Sequence, residues 1–335
     1  MSKILVTGGL GYIGSHTVVE LLKNNYEVVI IDNLSNSELF VLEGIKQISN
    51  KEPLFYQADV LDREALKEIF SKHEIDTVIH FAAFKAVGES VEEPLKYYMN
   101  NVGGLLSLLA EMENYKVQKM VFSSSCTVYG QPDKLPVDEK APIQRAESPY
   151  GDTKIQGEKI IESIPNLSTV ALRYFNPIGA HDSGLIGELP IGVPNNLVPF
   201  ITQSAAGLRG PLEVYGNDYN TKDGTCVRDY IHVMDLAIAH VKAIELVGKP
   251  DVQFEAINIG TGNGFSVLEL ITEFNTISDL PVHFKIGERR AGDIEKVWAR
   301  SEKSKKMLGW EAERDLKNML ETSWNWQKKV LAKMS

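Results

Sequence analysis

A glycine-rich turn near the start of the chain constrains the fold more than any other segment. It lies between the apolar run Ile4-Leu5-Val6 and a helical pattern, and glycines recur every third residue at Gly8, Gly11 and Gly14. Residues without a side chain permit a tight turn and let backbone N–H groups at a helix N-terminus approach a phosphate closely. A motif of this kind also fits an ordinary β-α turn. In this context it predicts the first β-α unit of a sheet that binds a dinucleotide.

Apolar runs and helical patterns alternate along the first half of the chain. Each apolar run is nearly continuous, as expected for parallel strands that helices cover on both faces. We predict strands at Lys3–Thr7, Glu27–Ile31, Phe55–Ala58, Thr77–Phe81, Lys119–Ser123 and Thr169–Tyr174, and helices at Ile13–Asn24, Arg63–His73, Pro94–Tyr115 and Pro149–Ser163. This alternation predicts an α/β fold with a Rossmann-type, doubly wound parallel sheet.

The second half of the chain has a different character. Glycine, proline and asparagine crowd residues 176–196, and the later elements are shorter and more mixed until a last helix at about Asp315–Leu331. A chain of 335 residues is long enough for two domains. We therefore predict a dinucleotide-binding Rossmann domain at residues 1–176. A smaller, mixed α/β substrate-binding lobe would occupy residues 177–335, with later segments free to return to the main sheet.

Charge and cysteine content exclude several classes of partner. The formal net charge is −10 and no dense run of lysine and arginine occurs, so neither nucleic acid nor an anionic membrane surface is expected as a partner. Cys126 and Cys226 are too few for a disulfide framework or a metal cluster. No apolar run approaches the roughly 20 residues that span a bilayer, and no signal segment precedes the first strand. We expect a cytoplasmic protein without a metal site.

An acidic residue at the end of the second predicted strand identifies the dinucleotide. Asp32 follows the run Val28–Ile31, where a carboxylate can accept hydrogen bonds from the adenosine ribose hydroxyls and would repel a 2′-phosphate. The sequence therefore predicts NAD as the cofactor rather than NADP.

The next two strand ends supply further candidate cofactor contacts. Asp59-Val60 ends one strand, where Asp59 either meets the adenine amino group or caps the following helix. Phe81 ends another, in a segment of small residues against which a cofactor can lie. Lys85 follows shortly after and either reaches a ribose or phosphate or is an ordinary solvated lysine.

A tyrosine and a lysine one helical turn apart are the strongest indication of chemistry. Tyr150 and Lys154 follow Ser148-Pro149, a good helix start, so they share one helix face. A tyrosine ordinarily loses its proton near pH 10, but a neighbouring ammonium and a helix N-terminus favour the phenolate. Ser125, at the carboxyl end of another strand, can hydrogen-bond a reacting oxygen and pass its proton to Tyr150. The alternative for Ser125 is a polar residue of a strand-end loop.

Several longer segments, spread along the chain in a fixed order, contain or adjoin these residues. They are the segments 6–16 (VTGGLGYIGSH), 32–34 (DNL), 84–90 (FKAVGES), 123–130 (SSSCTVYG), 148–150 (SPY), 172–177 (LRYFNP) and 227–232 (VRDYIH). Through them the chain resembles the extended short-chain dehydrogenase/reductase family over nearly its whole length, and within it most closely the UDP-glucose 4-epimerases. The resemblance implies that NAD is held throughout turnover and that Ser125, Tyr150 and Lys154 form the catalytic group.

The resemblance also implies two sets of binding residues. The cofactor contacts would be Gly8, Gly11, Tyr12, Ile13, Gly14, Asp32, Asn33, Asp59, Val60, Phe81, Lys85, Asn100, Tyr150, Lys154 and Phe175. The substrate contacts would be Ser125, Thr127, Tyr150, Asn176, Asn196, Arg228, Arg290, Asp293 and Val297. The residue types agree with this, because arginine binds diphosphate with two donors and a carboxylate suits ribose hydroxyls. Without the resemblance, Arg228 and Arg290 would be interpreted as partners in surface salt bridges.

The implied reaction is the interconversion of UDP-glucose and UDP-galactose by inversion at sugar C4 through a 4-keto intermediate. Two alternatives are a nucleotide-sugar 4,6-dehydratase of the same extended family and an NAD-binding redox sensor without catalysis. A dehydratase needs an acidic pair beside the catalytic hydroxyl, whereas Ser125 is followed by Cys126-Thr127-Val128. A sensor has no need of a tyrosine and a lysine at this spacing.

Two finer expectations also come from the resemblance. Val297 occupies a position where some relatives carry a tyrosine that narrows the sugar pocket, which predicts that UDP-GlcNAc and UDP-GalNAc are interconverted as well. The alternative is that Val297 packs in the core. The helical segments Pro94–Tyr115 and Pro149–Ser163 would form a homodimer through a four-helix bundle.

Overall fold

The computed structural model describes residues 2–290 and 293–334, with strands over most of the predicted apolar runs. The strands are β1 (Lys3–Thr7), β2 (Glu27–Asp32), β3 (Leu54–Gln57), β4 (Thr77–His80), β5 (Lys119–Ser125), β6 (Ser168–Tyr174), β7 (Asn176–Ile178), β8 (Leu212–Tyr215), β9 (Val227–His232), β10 (Phe254–Ile259), β11 (Gly264–Ser266), β12 (Phe284–Gly287) and β13 (Lys296–Val297).

The helices cover the predicted helical patterns and add several others. They are α1 (Tyr12–Lys23), α2 (Phe40–Ser49), α3 (Arg63–Lys72), α4 (Val87–Glu92), α5 (Pro94–Tyr97), α6 (Gly104–Asn114), α7 (Pro149–Glu162), α8 (Leu197–Ala205), α9 (Val233–Leu246), α10 (Val267–Ser278), α11 (Glu302–Leu308) and α12 (Leu316–Met334). A π-helical segment (Tyr98–Gly103) joins α5 to α6, and a short 3₁₀ helix (Cys126–Tyr129) follows β5.

The central sheet of the described residues has seven parallel strands in the order β10-β6-β5-β4-β1-β2-β3. Its apolar strand residues are buried on both faces because helices pack on each side. One face carries α1 and α9, and the other carries α3, α6 and α7. The predicted α/β fold with a doubly wound parallel sheet is confirmed.

The smaller elements of the second half form additional layers beside this sheet. Strands β7, β9, β11 and β13 make a second sheet, and β8 pairs with β12. Strand β10 instead lies at the edge of the central sheet, beside β6. The proposed division at residues 176 and 177 stays a prediction. None of the helices in the described ranges is long and apolar enough to cross a membrane.

The strand order places the candidate functional residues at one edge of the central sheet. Because the strands are parallel, the segments after β1, β2, β4 and β5 all leave the sheet at its carboxyl side, where open α/β sheets bind ligands. The order reverses between β1 and β4, and this is the point where the glycine turn lies.

Candidate active site

The glycine turn has a geometry that only glycine satisfies at two positions. Gly8 adopts φ of +68°, and a Cβ there would lie 2.9 Å from the backbone nitrogen of Ala82. A Cβ on Gly14 would lie 2.2 Å from the Gly8 carbonyl oxygen. Gly11 is the N-cap residue of α1 and provides no side-chain cap for the first-turn N–H groups of the helix. A glycine turn at a helix N-terminus fits a pyrophosphate.

Asp32 orients the turn from the end of β2. Its carboxylate accepts hydrogen bonds from the backbone N–H of Leu10 at 3.0 Å and of Leu34 at 2.9 Å, and from Ser37 Oγ at 2.8 Å. The carboxylate is therefore held between the glycine turn and its own loop. A carboxylate fixed at this point is suited to ribose hydroxyls, and these residues fit the adenosine half of NAD.

Asn33 and Asp59 lie together beside Asp32. Asn33 Nδ2 donates to Asp59 Oδ2 at 2.7 Å, while Asp59 Oδ1 accepts from the N–H of Leu61. The N-cap of α3 is Asp62, which accepts from two backbone N–H groups of that helix. Asp59 is therefore not the cap of α3, and its carboxylate stays at the sheet edge. The next residue, Val60, is buried.

The other predicted cofactor side chains line the ends of β4 and β6. Phe81 is half-buried, with its ring 4.7 Å from that of His240, and Phe175 is buried. Lys85 is exposed; its Nζ lies 5.8 Å from the Tyr12 ring centre and 3.0 Å from Glu188 Oε1. Asn100 lies in the π-helical segment, and its amide donates to Asn101 Oδ1.

Ser125, Tyr150 and Lys154 come together where β5 and α7 meet. Ser148 caps α7 by accepting a hydrogen bond from Gly151 N–H, which places Tyr150 in the first turn of the helix. Ser125 lies beside the Tyr150 phenol and acts to lower its pKa. The Lys154 Nζ lies 5.9 Å from the Tyr150 ring centre and donates to the Ser123 carbonyl oxygen at 2.7 Å.

Burial has the largest effect on the titration of this group. It raises the pKa of Tyr150 to about 12, and the neighbouring Ser125 offsets only part of the rise. Burial also lowers the pKa of Lys154 to about 8, against the opposing effect of the Glu158 carboxylate. The direction is opposite to the lowering that the sequence pattern predicts, because desolvation of the phenolate outweighs the favourable neighbours.

The substrate side begins directly after Ser125. Thr127 lies in the 3₁₀ helix, and its buried Oγ1 has no hydrogen-bond partner in the described structure. Asn176 begins β7, which pairs with β9. Asn196 Nδ2 donates at 2.6 Å to Glu188 Oε1, the same oxygen that Lys85 contacts. An unpartnered hydroxyl and two accessible amides suit an uncharged, hydroxyl-rich ligand.

Two arginines share one carboxylate farther along this face. Arg290 donates to both oxygens of Asp293, at 2.7 and 3.2 Å, and Arg228 Nη2 lies 3.8 Å from Asp293 Oδ1. The Arg290 guanidinium also lies 5.6 Å from the ring centre of Tyr215, an exposed side chain at the end of β8. The cluster has an excess positive charge and an exposed ring, which suits a nucleoside diphosphate.

Sequence reasoning missed Tyr215 and Glu188. Neither residue belongs to a motif with a known spacing. For Tyr215, the only signal in the sequence is an aromatic residue next to Gly216. Val297 lies on β13 opposite Arg228 but is only 1% exposed, and it packs in a cluster with Tyr129, Ile155 and Phe175.

The chain is similar to known proteins over nearly its full length. The model of the GDP-mannose 4,6 dehydratase family matches residues 5–323. The UDP-glucose 4-epimerase of Bacillus subtilis (strain 168) is 53% identical over 328 residues, which cover 97% of this chain and 96% of that protein. The UDP-glucose 4-epimerase of Haemophilus influenzae is 51% identical over 329 residues, with 97% of each chain covered.

Solved structures agree with these relatives. The UDP-glucose 4-epimerase of Bifidobacterium longum in complex with NAD⁺ and UDP has a TM-score of 0.95 at 45% identity and covers 98% of both chains. The UDP-Glc/GlcNAc 4-epimerase of Campylobacter jejuni has a TM-score of 0.84 at 34% identity, covering 98% of this chain and all of the other.

Proposed function

The chain belongs to the GDP-mannose 4,6-dehydratase family and within it to the UDP-glucose 4-epimerases, and from this premise we propose that Ser125, Tyr150 and Lys154 carry out its NAD-dependent interconversion of UDP-glucose and UDP-galactose. The observation that carries the assignment is the meeting of the three side chains where β5 and α7 adjoin, with Ser125 beside the Tyr150 phenol and Lys154 Nζ 5.9 Å from the centre of the same ring.

Each of these residues has a distinct part in moving the proton. Tyr150 takes the proton of the sugar 4-hydroxyl, directly or through Ser125 Oγ, and returns it after the sugar has turned its other face. Lys154 supplies positive charge that favours the phenolate. The NAD that the glycine turn and Asp32 would hold would supply the reversible hydride transfer at C4. Because Tyr150 acts first as a base and then as an acid, the two steps need no other proton donor.

The cofactor would be held by backbone and carboxylate together. The glycine turn and the first turn of α1 would bind the pyrophosphate, Asp32 the adenosine ribose, and Asn33 and Asp59 the adenine end. Phe81 and Lys85 would border the cofactor on the side of β4.

The substrate would be held by its nucleotide rather than its sugar. Arg228 and Arg290 would bind the diphosphate. Asp293, which would then no longer pair with these two arginines, would bind the uridine ribose. Asn176 and Asn196 would complete the polar wall, with Tyr215 packed on the base. A sugar with few fixed contacts can rotate about the diphosphate link, and inversion at C4 requires this rotation.

A direct assay tests the function. Purified protein supplied with UDP-galactose should form UDP-glucose without added NAD, since the proposed reaction leaves the cofactor unchanged after each turnover. Formation of a 4-keto-6-deoxy sugar would instead indicate a dehydratase, and bound NAD without turnover would indicate a sensor. The dehydratase is not favoured, because the relatives are epimerases and no acidic residue follows Ser125 before Asp133.

Replacing Arg290 tests the diphosphate site, with its neighbour Arg289 as a matched control. Arg290→Met should raise the KM for UDP-galactose about 10- to 100-fold with little change in kcat, because one charge-assisted contact contributes about 1.5–3 kcal/mol. Arg289 instead pairs with Asp218 and stacks on Tyr219 at 4.0 Å, so Arg289→Met should leave the KM near that of the wild type. Equal KM values for wild type and Arg290→Met would remove Arg290 from the site.

We further propose that UDP-GlcNAc and UDP-GalNAc are substrates, with Val297 leaving room for the N-acetyl group. Val297→Tyr should then lower kcat/KM for UDP-GlcNAc at least about tenfold relative to UDP-glucose, as expected when a side chain fills a pocket. Val297→Ala should keep the wild-type ratio. Equal losses on both substrates would mean that Val297 only packs in its buried cluster and that the larger side chain disturbs the core.

A homodimer is proposed from an apolar stripe on the α4–α6 side of the molecule. Val91, Leu95, Met99 and Leu106 are between 50% and 75% exposed, and α7 packs beside these helices. A contiguous exposed apolar surface indicates an interface. Sedimentation equilibrium should give twice the mass of the chain, and Leu95→Asp should shift the protein toward monomer. Monomeric wild type at micromolar concentration would contradict the proposal.

A cytoplasmic location is proposed from the cysteine content. Cys126 and Cys226 are both free, and such usage is typical of a reducing compartment. Fractionation of the source cells should recover the activity with cytoplasmic markers; recovery with the envelope would contradict this.

A further inference from the structure

A buried ion pair lies one turn behind Lys154 and has no part in the reaction described above. Glu158 on α7 is 3% exposed, and Arg173 on β6 is 4% exposed. Arg173 donates from Nε to Glu158 Oε1 at 2.8 Å and from Nη2 to Oε2 at 2.5 Å. This bidentate geometry fixes both the distance and the orientation of the carboxylate.

Further hydrogen bonds hold the pair from three other elements. Ser124 Oγ donates to Glu158 Oε1 at 2.5 Å. Arg173 Nη1 donates to the Tyr129 hydroxyl at 3.0 Å, and that hydroxyl donates to Asn258 Oδ1 on β10 at 2.7 Å. The carboxylate therefore has three donors, none of which is Lys154.

The pair is next to the catalytic group in both sequence and space. Lys154 and Glu158 occupy successive turns of one helix face, where side chains meet. Two consecutive residues of β5 are hydrogen-bonded to α7: the Ser123 carbonyl accepts from Lys154, and the Ser124 hydroxyl donates to Glu158. The next residue, Ser125, lies beside Tyr150. A buried ammonium and a buried carboxylate at this spacing attract each other, yet Lys154 points to the strand end.

We propose that Arg173 and Glu158 are positioning residues for epimerisation, because Arg173 holds the Glu158 carboxylate away from Lys154 and so leaves the ammonium directed at the strand end beside Tyr150. This rests on the proposed function of Tyr150 and Lys154 and adds two residues to it. Neither member of the pair is among the residues assigned above to substrate or cofactor.

The charges around Lys154 set the direction of each expected change. The titratable groups near it are Tyr150 and Glu158 on its own helix, His80 on β4, Arg173 and Tyr174 on β6, and Tyr129 in the 3₁₀ helix. Burial lowers the pKa of Lys154 and the Glu158 charge opposes this. Without Arg173, the full charge of Glu158 would act on Lys154 and reduce the field that Lys154 exerts on Tyr150, so the pKa values of both would rise. Without the Glu158 charge, the positive charge of Arg173 would not be neutralised, and it would lower the pKa values of both Lys154 and Tyr150.

The test is the pH profile of kcat for UDP-galactose in variants that retain bound NAD. Arg173→Met should move the acid and alkaline limbs of the profile to higher pH by about one pH unit or more, as expected when an unneutralised carboxylate acts on a neighbouring buried group. Glu158→Gln should move both limbs downward. The double variant Arg173→Met/Glu158→Leu, which removes both charges, should return close to the wild-type profile, because buried pairs tolerate apolar replacement.

The two single variants should shift the pH profile of kcat in opposite directions. A pair with a purely structural role would not cause this. Unshifted limbs, shifts in the same direction, or a double variant that keeps the Arg173→Met profile would each overturn the proposal. If Arg173→Met does not fold, Arg173→Lys, which keeps the charge but loses the second hydrogen bond, should show a smaller upward shift.

Lys154→Met separates this inference from the proposed function. Normal turnover in Lys154→Met would overturn the proposed catalytic group and the positioning role with it. Loss of turnover in Lys154→Met, together with unshifted profiles in the Arg173 and Glu158 variants, would overturn the positioning role alone.

Discussion

Tyr150→Phe should lower kcat for UDP-galactose about 1,000-fold, within the range typical of a lost general acid–base group. The phenylalanine ring fills the same space but has no hydroxyl to exchange a proton with Ser125 or the sugar. NAD content per chain, measured by absorbance after denaturation, should stay that of the wild type, because the adenosine and pyrophosphate contacts do not involve this hydroxyl.

Tyr56→Phe is the matched control. Tyr56 is also partly buried and lies on the edge strand β3, separated from β5 by three strands, where its hydroxyl bonds His73 at 2.8 Å. It should change kcat by less than about twofold, as expected for a site without contact to the transition state. Near-normal turnover in Tyr150→Phe would mean that another group moves the proton.

Gly14→Ala should yield protein without NAD and with turnover reduced about 100-fold or more. The added Cβ would lie 2.2 Å from the Gly8 carbonyl oxygen and 2.9 Å from Gly9 Cα. Both neighbours are backbone atoms, so the turn itself must move, and displacement of a bound group by about 1 Å can cost about 100-fold in rate. NAD content and kcat should therefore fall together.

Gly88→Ala controls for the general effect of adding a methyl group near a helix start. Gly88 lies in the first turn of α4, and a Cβ added there would have no neighbouring atom within 4 Å. It should retain NAD and wild-type turnover. Full NAD content in Gly14→Ala would contradict the assignment of the pyrophosphate to this turn.

The main sheet and the catalytic turn were predictable because their signals are local. The apolar runs of β1 and β2 are continuous, the glycine spacing is short, and Ser148-Pro149 marks a helix start within three residues of Tyr150. The strand bounds differ from those predicted by at most two residues at either end. Hydrophobic pattern and capping chemistry are enough for features of this kind.

Features made by distant residues were not predictable. Strand β13 has two residues and β7 has three, too few to show alternation. The π-helical segment within the predicted Pro94–Tyr115 helix has no composition signal, and α2 was not predicted. Burial by residues from several elements raises the pKa of Tyr150, and the spacing of Tyr150 and Lys154 in the sequence does not show this burial.

The ion-pair partners of the charged residues were also not predictable, because they are distant in the sequence. Arg173 and Glu158 are 15 positions apart and occur in unremarkable strand and helix patterns, yet they form the ion pair behind Lys154. Glu188 meets Lys85 across 103 positions. Only the folded chain shows which cation each carboxylate neutralises.

The fate of the hydrogen at sugar C4 tests the central claim most directly. UDP-galactose carrying deuterium at C4 should be converted in ordinary water to UDP-glucose that keeps the deuterium at C4, measured by NMR and mass spectrometry. Retention follows because the hydrogen leaves as hydride and returns to the same sugar, while Tyr150 exchanges only the hydroxyl proton. Replacement of the deuterium by solvent hydrogen would contradict the account, since C4 would then be inverted by proton removal.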